Sequence, residues 1–438
     1  MCTDKKILPD KSIFIFSNGL KLIVVEWHSL PMIHIDLMIH AGTFSEPAKM
    51  AGLAQATSYL PSQGTSTRHA MHIAEEIDFI GAKLRNDSQE DASYLSLTVL
   101  KKHLPEGLEI FNDLLLNPSF PQEELERWQK RTIASLAQEK ADPSIVASRK
   151  FKNFAFGDYP YGNIITENTI SIITQDEVKN YFYELYRPNN SVLVIVGDVD
   201  AKIIADDMEK LLAQWENKSV PSSTASAPSS TPGYAIQFIN KADSNQAQIR
   251  FGYISISRNS PDYYPVVLIN YVLGGGGFSS RLMKEIRSVK GYTYGINSNF
   301  NLYKHSGLFA ISTFTKNENV PDMIKEIINQ LKLLKENGIT DEELKNAKSY
   351  YKGSFVRRFE RPERIADQIL DSELYGLGDE YLDTFRSKID QVTPQQIEKV
   401  IEKLILTDRA NIVLVGKAKD YAETLKKLGK TEIKDYSE

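Results

Sequence analysis

The chain has 438 residues, 42% of them hydrophobic and 25% charged, with 24 Gly and 18 Pro. This is a globular composition, too long for one ordinary core, so two or more units are expected. Lys plus Arg number 52 against 57 Asp plus Glu, a net charge of -5, which offers phosphate backbones no attraction and argues against a nucleic-acid partner.

The amino terminus, MCTDKKILPDK, lacks the basic-then-apolar layout of a secretory signal, and no run approaches the roughly 18 apolar residues of a membrane span. As it stands, the sequence predicts a cytoplasmic protein without a membrane span. The single cysteine, Cys2, excludes an internal disulfide framework and a cysteine-based zinc cage. A Cys2 left by a trimmed lipoprotein signal would instead make the protein periplasmic or lipid-anchored.

Residues 13–16, 20–26 and 32–40 alternate with β-branched side chains and predict strands, with Asn18-Gly19 as the turn between the first two. Apolar spacing of three and four predicts amphipathic helices over 70–80, 105–116 and 122–140. Pro121 followed by Gln122, Glu123 and Glu124 suits the first turn of the last of these. Residues 219–233, SVPSSTASAPSSTPG, have linker composition and nearly bisect the chain.

That bisection prompts a search for a repeat. A shift of 219 positions lays Gln122-Glu123-Glu124-Leu125 on Asp341-Glu342-Glu343-Leu344 and Asp142-Pro143 on Arg361-Pro362. The same shift brings Ala155-Phe156-Gly157 onto Leu374-Tyr375-Gly376, Thr174 onto Thr393, and VLVIVG (192–197) onto NIVLVG (411–416). The expected organisation is therefore two homologous domains, 1–218 and 234–438, joined by the 219–233 linker. Strands at both ends of each copy, with helices grouped between, predict an α+β fold: a largely antiparallel sheet with helices packed on one face.

The runs HAGTFSEPAKMAGLAQATSYLPSQGT (40–65), DPSIVASRKFKNFAFGDYPYG (142–162), RPNNSVLVIVGDV (187–199) and LGGGGFSSRLMKEIRSVKGYTYGI (273–296) carry a family likeness. Together they resemble the pitrilysin or insulinase-type (M16) metallopeptidases, in the short bacterial and mitochondrial-processing-peptidase branch. The resemblance spans nearly the whole chain and includes its duplication. Active members of that family place His-x-x-Glu-His on a helix, where i and i+4 share a face and the intervening Glu serves as general base, with a distant Glu as third zinc ligand. The matching positions here are Gln55, Ser58 and Tyr59, with Ser135 near the place of the distant ligand. An amide, a hydroxyl and a phenol with a pKa of about 10 are poor zinc ligands and poor bases near neutral pH. The nearby Glu139 is one turn away and alone. A degenerate site with no metal is expected, and no cofactor in this chain. The other candidate, His69, His72, Glu75 and Glu76, fans out over nearly two turns and reads as a solvated helix face.

What the resemblance implies for the second half is substrate contact. An Arg and a Tyr seven residues apart, from the domain lacking metal, reach the substrate in the family; here they would be Arg287 and Tyr294. Arg287 is expected to end a short helix opening at Ser279 or Ser280, and Tyr294 to lie in the strand after the Gly291 turn. The run Gly274, Gly275, Gly276 and Gly277 lacks the Lys-Ser/Thr of a phosphate loop; a flexible loop that lets backbone approach a bound chain is the expectation. Relatives also pair the substrate with an edge strand bearing Asn-Ala where this chain has Arg85-Asn86, so that role is expected to pass to a partner.

The function these readings imply is a non-catalytic subunit of a heterodimeric zinc metallopeptidase. Its partner would be a homologous subunit with an intact His-x-x-Glu-His motif and the zinc, its substrate an unfolded peptide, and its own share the Arg/Tyr pair and half of the cleavage chamber. The alternative is a catalytically inactive structural or peptide-binding protein of the same fold.

Overall fold

The computed structural model describes residues 10–221, 225–229 and 232–436. Cys2 and part of the 219–233 linker lie outside the described residues. The chain forms two compact units: Met1–Leu136, Ile165–Ala225 and Phe355–Thr384 make the first, and Ala137–Ile164, Ser226–Ser354 and Phe385–Glu438 make the second.

In the first unit, strands β1 (Lys11–Ile15), β2 (Lys21–Glu26), β3 (Met32–Ile39), β4 (Lys83–Ser88), β5 (Ser93–Leu100) and β6 (Ser191–Gly197) form one sheet in the order β1-β2-β6-β3-β5-β4. Only the β2–β6 pair is parallel. The β1–β2 hairpin closes at Gly19, whose φ of 86° is open to glycine. The helices of this half include α1 (Leu53–Tyr59), α2 (Ala70–Phe79), α3 (Leu104–Leu116) and α4 (Gln122–Glu139). The core they form with the sheet takes in Ile33, Ile35, Leu37, Leu193 and Ile195 from the strands and Phe111 and Leu114 from α3.

The alternate residues Val192, Val194 and Val196 are buried as well, and the two-residue strand period puts them on the opposite face. That face is covered by the helix Pro362–Leu374, which packs against β3 and β6 although it comes from the second half of the sequence.

The second unit repeats the arrangement with β7 (Tyr234–Asn240), β8 (Gln246–Ser255), β9 (Ile296–Leu302), β10 (Gly307–Lys316), β11 (Ala410–Gly416) and β12 (Lys430–Asp435), in the order β12-β7-β11-β8-β10-β9. Here the extra helix is α5 (Pro143–Phe156), from the first half, which packs on β8 and β11. The two exchanged helices are the ones related by the 219-residue shift, and both carry Pro in the first turn. A buried arginine fastens α5 to its sheet. Arg250 of β8 donates from Nη2 to the Ser144 carbonyl (3.0 Å) and Oγ (2.7 Å), and from Nε to Ser148 Oγ (3.0 Å). Burial among these neutral acceptors pushes the guanidinium down to about 10.

The sixth strand is where the copies differ. The first unit closes its sheet with antiparallel β1, the second with parallel β12 at the other end of the chain.

Candidate functional site

Helix α1 starts at Gly52, where φ is 106°. The Glu46 carboxylate caps it, accepting from the backbone N–H groups of Gly52 (3.1 Å) and Ala54 (3.0 Å). Such caps satisfy donors that a helix start leaves open. Glu46 is buried, and desolvation pushes its carboxyl up to about 7 against the lowering effect of these backbone donors.

On this helix Gln55 and Tyr59 are half-buried, and Ser58 is buried with an Oγ that has no hydrogen-bond partner. The Tyr59 ring lies under the Arg131 guanidinium of α4, 4.7 Å from ring centroid to Cζ. Ser135 is exposed one turn further along the same helix. Glu139, at the end of α4, is engaged by Arg149 at 2.9 Å. This set does not fit a zinc ion: Gln55, Ser58, Tyr59 and Ser135 offer one amide, three hydroxyl-bearing side chains and no imidazole, and the cation of Arg131 beside Tyr59 would repel a divalent ion. Among the described residues, no group of three or more His, Cys, Asp or Glu is placed to hold a metal. His69 accepts from the His72 backbone N–H as a helix cap, and His72 pairs with Glu76 at 3.0 Å, so the α2 cluster is accounted for locally. Arg131 is the site residue that sequence reasoning missed. Its signal was present, because it lies four residues before Ser135 and so on the same helix face.

Strand β4 is the edge of its sheet, and Asn86 ties it to the end of α1. The Asn86 Nδ2 group donates to the carbonyls of Ser58 (2.8 Å) and Tyr59 (3.1 Å) and to Ser62 Oγ (3.0 Å). The asparagine therefore supplies donors to two of the carbonyls a helix end leaves open.

In the second unit, Arg287 and Tyr294 line one pocket of about 420 Å³ together with Gln246, Tyr292, Lys316 and Asn319. It forms where β8 begins and β10 ends, since Gln246 and Lys316 are paired across the ladder. Arg287 belongs to a π-helical segment, Met283–Val289, two residues before its end. Its guanidinium stacks on Phe278, 4.5 Å from the ring centroid. Gly291, with φ of 65°, turns the chain out of the helix and its N–H donates to the Arg287 carbonyl.

Tyr294 departs from expectation. It precedes β9, which begins at Ile296, and lies in the connecting loop with 80% of its surface exposed. Threonine hydroxyls on β10 hold that loop: Thr315 Oγ1 donates to the Tyr292 carbonyl (2.6 Å) and Thr313 Oγ1 to that of Gly295 (2.9 Å). Because these bonds use loop carbonyls, residues 292–295 do not join the ladder and the tyrosine is left outward.

The glycine run also differs from the expected flexible loop. Tyr271–Gly275 continues the preceding helix as a π turn. A Cβ on Gly274 would come within 2.5 Å of the Ser298 nitrogen of edge strand β9, and one on Gly275 within 2.6 Å of Asn270 Nδ2. Close internal packing therefore explains these two glycines. Gly276 is followed by Gly277 at φ 60°, where the chain turns towards Phe278.

Two family descriptions match the chain in tandem, covering most of its length: "Insulinase (Peptidase family M16)" over residues 23–169 and "Peptidase M16 inactive domain" over residues 173–351. Among curated relatives, the uncharacterized zinc protease YmxG of Bacillus subtilis is 24% identical, covering 90% of this chain and 95% of its own. An uncharacterized zinc protease of Rickettsia bellii is 26% identical over 89% of this chain and 91% of its own. Of solved structures, a peptidase M16 inactive domain from Pseudomonas fluorescens superposes with a TM-score of 0.86 at 27% identity, covering 93% of this chain and 98% of that one. A protease from Helicobacter pylori matches the fold with a TM-score of 0.85 at 19% identity, covering 93% and 100%. The two tandem matches, the repeated sheet and these likenesses agree: the chain belongs to the insulinase-type M16 peptidase family.

Proposed function

We propose that this protein is the non-catalytic subunit of a two-subunit zinc metallopeptidase. A homologous partner with an intact His-x-x-Glu-His helix would bring the zinc and the general base, and this chain would bring substrate contacts. The observation that carries the reading is the convergence of Arg287 and Tyr294 on one pocket while the α1 face offers no zinc ligand set. The matching of residues 173–351 to an M16 inactive domain supports it, as does the likeness to proteins named zinc proteases.

The chemistry asked of the pair is modest. The Arg287 fork can hold peptide carbonyls, and the outward Tyr294 hydroxyl can donate to a carbonyl oxygen that gains charge as the peptide bond is attacked. The unfolded peptide is the substrate because only an extended chain presents its carbonyls in this way.

The test is co-purification followed by metal analysis and a peptide-cleavage assay. The lone chain is expected to carry no stoichiometric zinc and to cleave nothing; with its M16 partner it is expected to be active. Arg287→Ala and Tyr294→Phe should each lower kcat/KM of the assembly by about 10- to 1000-fold, the range of a lost oxyanion donor or charged contact. Stoichiometric zinc with hydrolysis by the lone chain would overturn the reading. A stable complex whose partner lacks the metal helix, indifferent to both substitutions, would favour the inactive structural role instead.

A further inference from the structure

The pocket at Arg287 has a charge that no carboxylate among the described residues pairs with. Among the described residues its guanidinium has no hydrogen bond and no carboxylate partner, and it stacks on the Phe278 face. Its neighbours differ. Arg281, two residues before the Met283–Val289 segment, pairs with Glu343 at 2.6 Å, and Lys290, just after it, pairs with Glu326 at 3.3 Å.

A second cation, Lys316, lines the pocket, and its ion-pair contact, Glu318, is 4.0 Å away with both side chains largely exposed. At that distance and exposure the pair is worth little. No Asp or Glu lines the pocket, whereas the chain as a whole carries a net charge of -5. Two uncommitted cations are thus gathered at one place in an acidic protein. Tyr292 and Phe314 form aromatic walls beside them, which lower the local dielectric and strengthen any ion pair made there. A planar guanidinium with free N–H groups matches a carboxylate in bidentate fashion, and an ammonium adds a point charge.

We infer that this pocket is a carboxylate subsite: it takes an acidic side chain or the C-terminal carboxylate of the bound peptide, held by Arg287 and Lys316 and flanked by the amides of Gln246 and Asn319. This rests on the proposal that the chain contacts peptide substrate, and it narrows the substrate to peptides carrying a carboxylate at the position that reaches this pocket.

Fluorescence anisotropy with the full chain tests it, using four labelled peptides of one length: an internal Glu or Gln, each with a free or amidated C-terminus. The peptide with both carboxylates is expected to bind about tenfold more tightly than the Gln amide, and the single change that removes the gain identifies which carboxylate is read. Lys316→Ala should weaken the carboxylate peptides severalfold and leave the Gln amide unchanged, and added salt should act on the same peptides. Equal affinity for all four peptides would overturn the carboxylate subsite while leaving substrate contact standing. Binding of none would overturn both.

Discussion

Glu46 gives the most quantitative test of how α1 is held. Its carboxyl is buried and pushed up to about 7, from 4.5 in the unfolded chain. A group whose folded pKa is raised adds stability below its unfolded value and loses it as pH rises through the folded value. Stability of the first unit should therefore fall between pH 5 and pH 8. With 1.36 kcal/mol per pKa unit, the fall from pH 5 to pH 8 is about 2–3 kcal/mol. Glu46→Gln keeps the size and one acceptor oxygen but cannot ionise. It should show a pH-independent offset from the lost second oxygen and none of this fall. The readout is favourable because Trp27, Trp128 and Trp215, the three tryptophans of the chain, all belong to the first unit. Urea unfolding followed by tryptophan fluorescence thus reports on that unit. Parallel stability profiles of wild type and Glu46→Gln from pH 5 to pH 8 would refute the buried, upshifted carboxyl.

Two further substitutions probe the elements that frame the sites. Asn86→Ala should cost about 1–3 kcal/mol in the same urea assay, since two carbonyls at the end of α1 and the Ser62 hydroxyl lose their donor. Asn86→Asp should cost more, because it turns a carboxylate towards those carbonyls. Arg250→Met removes the donors that fasten α5 to β8; hydrogen exchange in Pro143–Phe156 should rise by about tenfold or more, as the loss of roughly 1.5–3 kcal/mol implies. Unchanged exchange there would mean that apolar packing alone holds α5.

Much of the fold was legible because local signals and the repeat reinforced each other. Thr174 and Thr393, one repeat apart, each accept a backbone N–H at the start of equivalent helices, Gln175–Leu185 and Pro394–Leu404. The turn at Asn18-Gly19 and the start of α4 followed from turn and first-turn chemistry. The exchange of α5 for Pro362–Leu374 was not read from the sequence, since an amphipathic helix says which of its faces is buried but not against which sheet. A signal for it existed. VLVIVG and the IVLVG that follows Asn411 are unbroken apolar runs, and a strand without alternation must be covered on both faces.

The candidate sites divide along the same line. That Gln55, Ser58 and Tyr59 share a helix and make a poor donor set follows from residue identity and helical spacing alone. That Arg131 stacks on Tyr59, and that threonines on β10 hold the Tyr294 loop out of the ladder, depends on contacts between residues far apart in sequence. Those contacts set the two candidate sites apart. In the first unit the Arg131 cation beside the motif lies on an aromatic face, and the motif side chains offer a divalent ion little. In the second, Arg287 and Lys316 line a pocket without an acid. In a chain of net negative charge, Arg281 and Lys290 are paired while Arg287 has no carboxylate partner among the described residues, so the proposed peptide contact is to be tested in the second unit.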